Sequence, residues 1–293
     1  MSQTRAVLSM ILVTFLWSLA GIVSRQLESA ASFEVTFWRS AFNALSLGVL
    51  LSVLRGPNVW RDVFSAPAAL WASGVCWSIM FTAFMLGITL TTVANVLVIM
   101  AFGPLLTALL ARVWLGHRLA TRTWIAIIVA GLGIAGMFAQ QLGAGVSMTG
   151  SLVALAVPLA AAINWNLLQQ SRANSETARD MLPAVLIGAI ISALVTLPLA
   201  WPFQATRSDL GWLAFLGAFQ LAIPCLMVVR IARYLPGPEI ALLGLLEVIF
   251  GVAWAWLGAG ERPAAATLVG GMLVIAALLV NEMVALRQRV ALR

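Results

Sequence analysis

Glu247 stands ten residues into an apolar stretch, residues 238–258, whose only other charge is Glu239. A charged side chain at membrane depth costs about 3 kcal/mol on insertion scales, so a chain that keeps one there has a use for it. On a helical wheel Glu247 shares a face with Gly244, Gly251 and Trp254. Two chemistries suit it. It can titrate or bind a substrate ammonium, or it can serve as a hydrogen-bonded structural carboxyl. Arg39 is the second charge at depth, with Glu34 five residues before it. It can meet a substrate carboxylate, but the commoner use of such an arginine is to snorkel or to tie helix ends together, and that is what we expect of it.

Amides and tryptophans are the next candidates. Asn43, Asn95, Asn164 and Gln220 all fall inside apolar runs. An unpaired amide in lipid is costly, so each must face the bundle, either a cavity or a neighbouring helix. Thr14, Ser18 and Gly21 make one small polar stripe. Pro158, Ala162, Trp165, Asn166 and Gln169 make another. Such stripes let helices approach closely or line a wet cavity. Trp60, Trp71, Trp114, Trp124, Trp201 and Trp212 fall near helix ends, as an interfacial belt would place them. Trp17, Trp77 (beside Ser78) and Trp165 lie deeper and would suit a π-rich pocket, although ordinary packing explains each one singly. Gly103, Pro104, Pro158 and Pro224 are positions where helices can break or hinge.

Other chemistries are excluded by residue type. The one histidine, His117, lies between spans, and Asp62, Asp180 and Asp209 all fall at loops, so no metal cluster or histidine-based dyad can form at depth. There is no phosphate-binding GxxxxGK motif, and no cofactor is implied. Cys76 and Cys225 lie in apolar runs and read as buried packing.

The elements that must position these residues follow from composition. Of 293 residues, 62% are hydrophobic and 9% charged, against about 25% charged in an ordinary soluble domain. The net charge is +7, carried by 17 arginines and no lysine. They are scattered at the edges of apolar runs, which argues for membrane orientation and against nucleic acid. Uncharged runs cover 6–24, 63–111, 123–171, 181–206, 210–229 and 263–281. A bilayer core needs about 20 helical residues per crossing, so each run of 49 holds two helices and a turn. The pattern predicts an all-α membrane protein with ten spans: 6–25, 33–54, 67–87, 92–115, 122–140, 149–171, 181–201, 209–231, 238–258 and 263–285. The first reads as an uncleaved helix. With both termini cytoplasmic, thirteen arginines fall inside and three (Arg25, Arg207, Arg262) outside, which fixes the expected orientation.

The chain also repeats itself. Trp114-Leu-Gly-His-Arg118 matches Gly258-Ala-Gly-Glu-Arg262 at an offset of 144, and Trp17…Arg25 matches Asn164…Arg172 at 147. Residues 1–142 and 148–293 read as two five-span halves. Because five is odd, they must insert with opposite topology, the pattern of many secondary transporters. The segments "TTVAN", "FGPLLTALLARVWLGHR" and "WIAIIVAGLGIAG", and their second-half counterparts "LLGLLEVIFGVAWAWLGAGERP" and "LVGGMLVIAALLV", resemble the repeat of EamA-type members of the drug/metabolite transporter superfamily. Helix openings "LWSLAGIVSR" and "FWRSAF" fit as well, and the resemblance covers nearly the whole chain. Within the superfamily it is most similar to YddG-type exporters of aromatic amino acids. Two positions depart from the pattern. His117 stands where the first repeat usually has an acid, and Val248 follows Glu247 where proline is common, so the ninth span is expected to be less kinked.

The resulting expectation is a secondary transporter, not an enzyme. It would sit in a bacterial inner membrane as a monomer or a dimer, with lipid and a small-molecule substrate as its partners and no nucleic acid. The resemblance implies export of aromatic and other apolar amino acids by alternating access. The alternatives left open are a drug or another metabolite as cargo, an intramembrane lipid-modifying enzyme, and a passive pore.

Overall fold

A computed structural model describes residues 1–24, 26–56, 60–61, 63, 67–91, 96, 99–116, 119–138, 147–173, 180–259 and 265–290. Among them every regular element is a helix: Gln3–Ser24 (α1), Ser32–Arg55 (α2), Ala68–Leu90 (α3), Gly103–Trp114 (α4), Thr121–Phe138 (α5), Met148–Ala173 (α6), Leu182–Ala200 (α7), Arg207–Ile231 (α8), Gly237–Gly244 (α9), Leu246–Ala259 (α10) and Ala265–Val290 (α11). Six of these, α1, α2, α3, α6, α7 and α8, are long and apolar enough to cross a membrane by length and composition. Shorter apolar helices occupy Gly103–Trp114, Thr121–Gly136 and Leu268–Asn281. Leucines and valines stand exposed along the outer faces of α1, α2, α7 and α11, as they would against hydrocarbon.

Local sequence explains where helices start and stop. Gly56 ends α2 at φ +75°, a conformation that glycine adopts without Cβ strain, and its N–H closes onto the Ser52 carbonyl. Prolines in the first turn open α4, α7 and α9, where the missing N–H has no partner to lose. Thr206 and Asp209 cap the start of α8 reciprocally. Asp209 also accepts the Glu28 and Ser29 N–H groups at 2.9 and 3.2 Å. Glu34 accepts those of Gln204 and Ala205 at 2.9–3.0 Å. Two fully buried carboxylates therefore staple the α1–α2 connection to the α7–α8 connection.

Three elements differ from expectation. The third span runs past Gly87 to Leu90. Within the eighth span, Leu216–Ala222 winds as a π-helical turn ahead of Pro224. The ninth span is interrupted at Leu245 although no proline follows Glu247, so the absence of proline did not straighten it. Gly103 and Pro104 do begin a new helix after a turn at Ala101–Phe102. Pro158 sits inside a continuous α6.

Close helix contacts run through glycine. A Cβ on Gly188 of α7 would lie 2.8 Å from the Gly74 carbonyl of α3. One on Gly217 of α8 would lie 2.7 Å from the Arg39 carbonyl of α2, and one on Gly133 of α5 2.8 Å from the Gly270 carbonyl of α11. Backbone-to-backbone approach of this kind is how helices gain packing where lipid supplies no hydrophobic drive. Helices α1, α2, α3, α6, α7, α8 and α9 share one apolar core, while α5 and α11 pack chiefly on each other.

Candidate functional site

The helices leave a cavity of about 150 Å³ among α1, α2, α3, α4, α6, α8, α9 and α10, with Met100 just ahead of α4 also on its wall. An engineered cavity of ~150 Å³ admits benzene, so one aromatic ring fits without rearrangement and larger cargo requires the helices to part. One wall is aromatic. Trp77 meets Trp165 edge-on with ring centroids 5.6 Å apart and Phe81 at a 33° tilt with centroids 5.5 Å apart, and Trp17 and Phe84 also line the space. Edge-on rings present both a π face and a positive rim to an arriving ring.

The polar groups collect on α2, α8 and α10. Arg39 is 4% exposed and its Nη2 donates to Gln220 Oε1 at 2.8 Å. Gln220 Nε2 donates in turn to the Trp17 carbonyl at 2.9 Å. The amide thus bridges α2 and α1 from the π turn of α8. Glu247 lines the cavity within electrostatic reach of Arg39. Arg39 Nε and Trp77 Nε1 are buried donors without a hydrogen-bond partner among the described residues. Unsatisfied buried donors are uncommon, and on cavity-lining residues a ligand acceptor is the natural complement.

Of the residues singled out from sequence, Trp17, Arg39, Trp77, Gly103, Pro104, Pro158, Trp165, Gln220, Gly244 and Glu247 line the cavity, and so does Cys225, which the sequence read as packing. Arg39 neither snorkels nor ties helix ends, because its guanidinium turns inward onto Gln220. The remaining candidates stand away from the lining. Ser18 accepts from Trp254 Nε1 at 2.9 Å, joining α1 to α10. Asn164 accepts from Ser73 at 2.6 Å, joining α6 to α3. Gln169 accepts from the Gly237 N–H at 2.9 Å, at the start of α9. Ser78 packs where Gly188 presses on its backbone, and Asn43 lies beside Gly217. Pro224 is buried in the turn after the π segment. Asn95 lies outside the described residues. Sequence reading missed Met10, Met80, Phe81, Phe84, Met100, Ile240 and Ala241, which also line the space. Phe81 and Phe84 follow Trp77 at helical spacing, a signal that was available. The methionines and small apolar residues carry no polar mark that separates them from core.

The family described as EamA-like transporter matches residues 4–139 and again residues 148–283. The pseudopaline exporter CntI of Pseudomonas aeruginosa (strain UCBPP-PA14) is 23% identical over 275 residues, covering 92% of this chain and 93% of the relative. The S-adenosylmethionine uptake transporter of Rickettsia prowazekii (strain Madrid E) is 24% identical over 250 residues, covering 85% and 82%. A solved structure described only as "Crystal structure of protein" superposes with a TM-score of 0.79 at 15% identity, covering 96% of this chain and 99% of that one. At that identity the likeness shows the fold alone. The family and these named relatives are transporters, which sets aside the lipid-modifying enzyme.

Proposed function

The chain belongs to the EamA-like transporter family, and we propose that this membrane transporter moves aromatic and other apolar amino acids outward by alternating access through its central cavity. The observation that carries this reading is the pairing of an aromatic wall with one cation and one anion. Trp17, Trp77 and Trp165 face the same space as Arg39 and Glu247. A zwitterion brings a carboxylate for Arg39, an ammonium for Glu247 and a ring for the tryptophans, with no net charge left over.

The proposal places ten spans in a bacterial inner membrane, both termini cytoplasmic, as halves 1–142 and 148–293 of opposite topology. Packing supports the inverted repeat. Exchanging first-half spans for their second-half counterparts turns the α3–α6 contact into α8–α1, α2–α8 into α7–α3, and α4–α6 into the α9/α10 contact with α1, all of which are present. Lining residues come from both halves, as a site at the repeat interface requires. Direction does not follow from kinship, since one relative is named an exporter and another an uptake transporter. The arginine asymmetry bears on orientation only. The same two names favour a second reading, another metabolite as cargo.

Reconstitution in liposomes tests the proposal directly. Uptake of the twenty amino acids is measured with and without an imposed proton gradient. Tryptophan, phenylalanine and the larger apolar amino acids should move faster than aspartate, lysine or glycine. Transport of none of the twenty, or no preference for apolar side chains, overturns the amino-acid reading and leaves the second one.

A further inference from the structure

Resting on the reading of the cavity as an amino-acid site, we infer that Gln220 is a specificity-determining residue: its neutral amide holds Arg39 in place without cancelling its charge, which stays available to a substrate carboxylate.

A buried guanidinium is ordinarily neutralised by a hydrogen-bonded carboxylate, because an uncompensated charge is expensive. Arg39 departs from that pattern. Its hydrogen-bond partner among the described residues is an amide oxygen, and of the two acidic groups within electrostatic reach, the Cys225 thiol and the Glu247 carboxyl, neither is hydrogen-bonded to it. The amide is fixed from both ends. Nε2 must face the Trp17 carbonyl, so Oε1 must face Arg39. The backbone supports this arrangement. Gln220 sits in the π turn Leu216–Ala222, where Gly217 seats against the carbonyl of Arg39 itself. Single π turns inside α-helices recur at functional sites, since the extra residue re-aims the side chains that follow.

The consequence is a matter of charge. One guanidinium and one carboxylate give a site of zero net charge, which suits a zwitterion. A carboxylate in place of Gln220 would pair with Arg39, leave the site one negative charge in excess, and suit a cationic amine instead. Specificity then lies in what the site declines to supply internally.

Calorimetric binding to the purified full-length protein tests this with three indoles: tryptophan, indole-3-propionate (carboxylate without ammonium) and tryptamine (ammonium without carboxylate). The wild-type protein should bind tryptophan best and indole-3-propionate better than tryptamine. In Gln220→Glu, tryptophan affinity should fall about tenfold or more, as expected for a lost hydrogen bond to a charged group. Tryptamine should become the better ligand, with the melting temperature held or raised. Gln220→Met should lose tryptophan affinity without gaining tryptamine. A folded Gln220→Glu protein that keeps the wild-type order, or that loses all three ligands equally along with stability, overturns the role of Gln220 and leaves the amino-acid reading standing. Should that variant not fold, the wild-type series decides, since preference for tryptamine over indole-3-propionate also overturns it. A wild-type protein that binds none of the three overturns the amino-acid reading and this inference with it.

Discussion

At Gly217 a single hydrogen in place of a methyl group decides how close two helices come. A Cβ there would fall 2.6 Å from Phe42 Cβ and 2.7 Å from both the Arg39 carbonyl and the Asn43 N–H, none of which can swing aside. Gly217→Ala should therefore cost roughly 1–3 kcal/mol of stability, the usual range for overpacking. It should also weaken tryptophan binding by displacing Arg39. Gly211→Ala, on the same helix with nothing within 4 Å, is the control and should be neutral or slightly stabilising. A Gly217→Ala protein as stable as that control would show that the contact is looser than its geometry. Glu247 makes a second test at this scale. If it receives the substrate ammonium, Glu247→Gln should weaken tryptophan and tryptamine but spare indole-3-propionate. If it carries a coupled proton, the same change should abolish the response of transport to a pH gradient while exchange persists. An equal loss of all ligands with lowered stability would make it structural. Depth along each span was legible in the sequence, because distance from the nearest charged end places Trp17, Trp77 and Trp165 near mid-membrane. The neighbour was not. Gln169 shares the polar stripe of Trp165 and Asn164 directly precedes that tryptophan, yet they bond to the Gly237 N–H and to Ser73, and no helical wheel names the helix opposite.

Among the elements, those bounded by glycine and proline were legible, and those shaped by packing were not. Gly103–Pro104 marks the start of α4 in the sequence itself. Nothing comparable announces the π turn of α8 or the interruption at Leu245, which depend on how the surrounding helices seat. The two ends of the bundle are fastened by different means, and the magnitudes differ accordingly. Asp209 is fully buried and accepts three backbone N–H groups from two connections. Asp180, at the opposite end, pairs with Arg55 and Arg233, whose side chains reach water. Losing a helix cap alone costs about 1–2 kcal/mol, and an exposed ion pair is worth about 0–1. Asp209→Ala should lower the melting temperature by several degrees, whereas Asp180→Asn should barely change it. Asp180→Asn has a different consequence if its pairs latch the Arg55 end of α2 to the α8–α9 turn, the end that the arginine count predicts to be cytoplasmic. A cysteine placed at Ala161, on the α6 wall of the cavity, in a background lacking Cys76 and Cys225, should then react faster with a thiol reagent offered from the predicted cytoplasmic side. An unchanged labelling rate would show that these pairs do not govern access.

For the molecule as a whole, the decisive quantity is the side on which each segment lies. Thirteen arginines against three argue for cytoplasmic termini, because positively charged segments resist translocation. Two parallel halves of even span number would leave the junction near residues 140–147 on the same side as the termini. Two halves of five spans must place it on the opposite side, and that oddness is what would give the proposed repeat an inverted topology. Fluorescent-protein and alkaline-phosphatase reporters separate these cases, since the first folds only inside the cell and the second only outside. Fluorescence is expected from fusions after residue 293 and before residue 1, with phosphatase activity from an insertion at Gly143. Phosphatase activity at either terminus would refute the charge argument. Fluorescence at Gly143 together with fluorescence at both termini would refute five spans per half, and with it the exchange that pairs α3–α6 with α8–α1 and puts the aromatic cavity between inverted repeats.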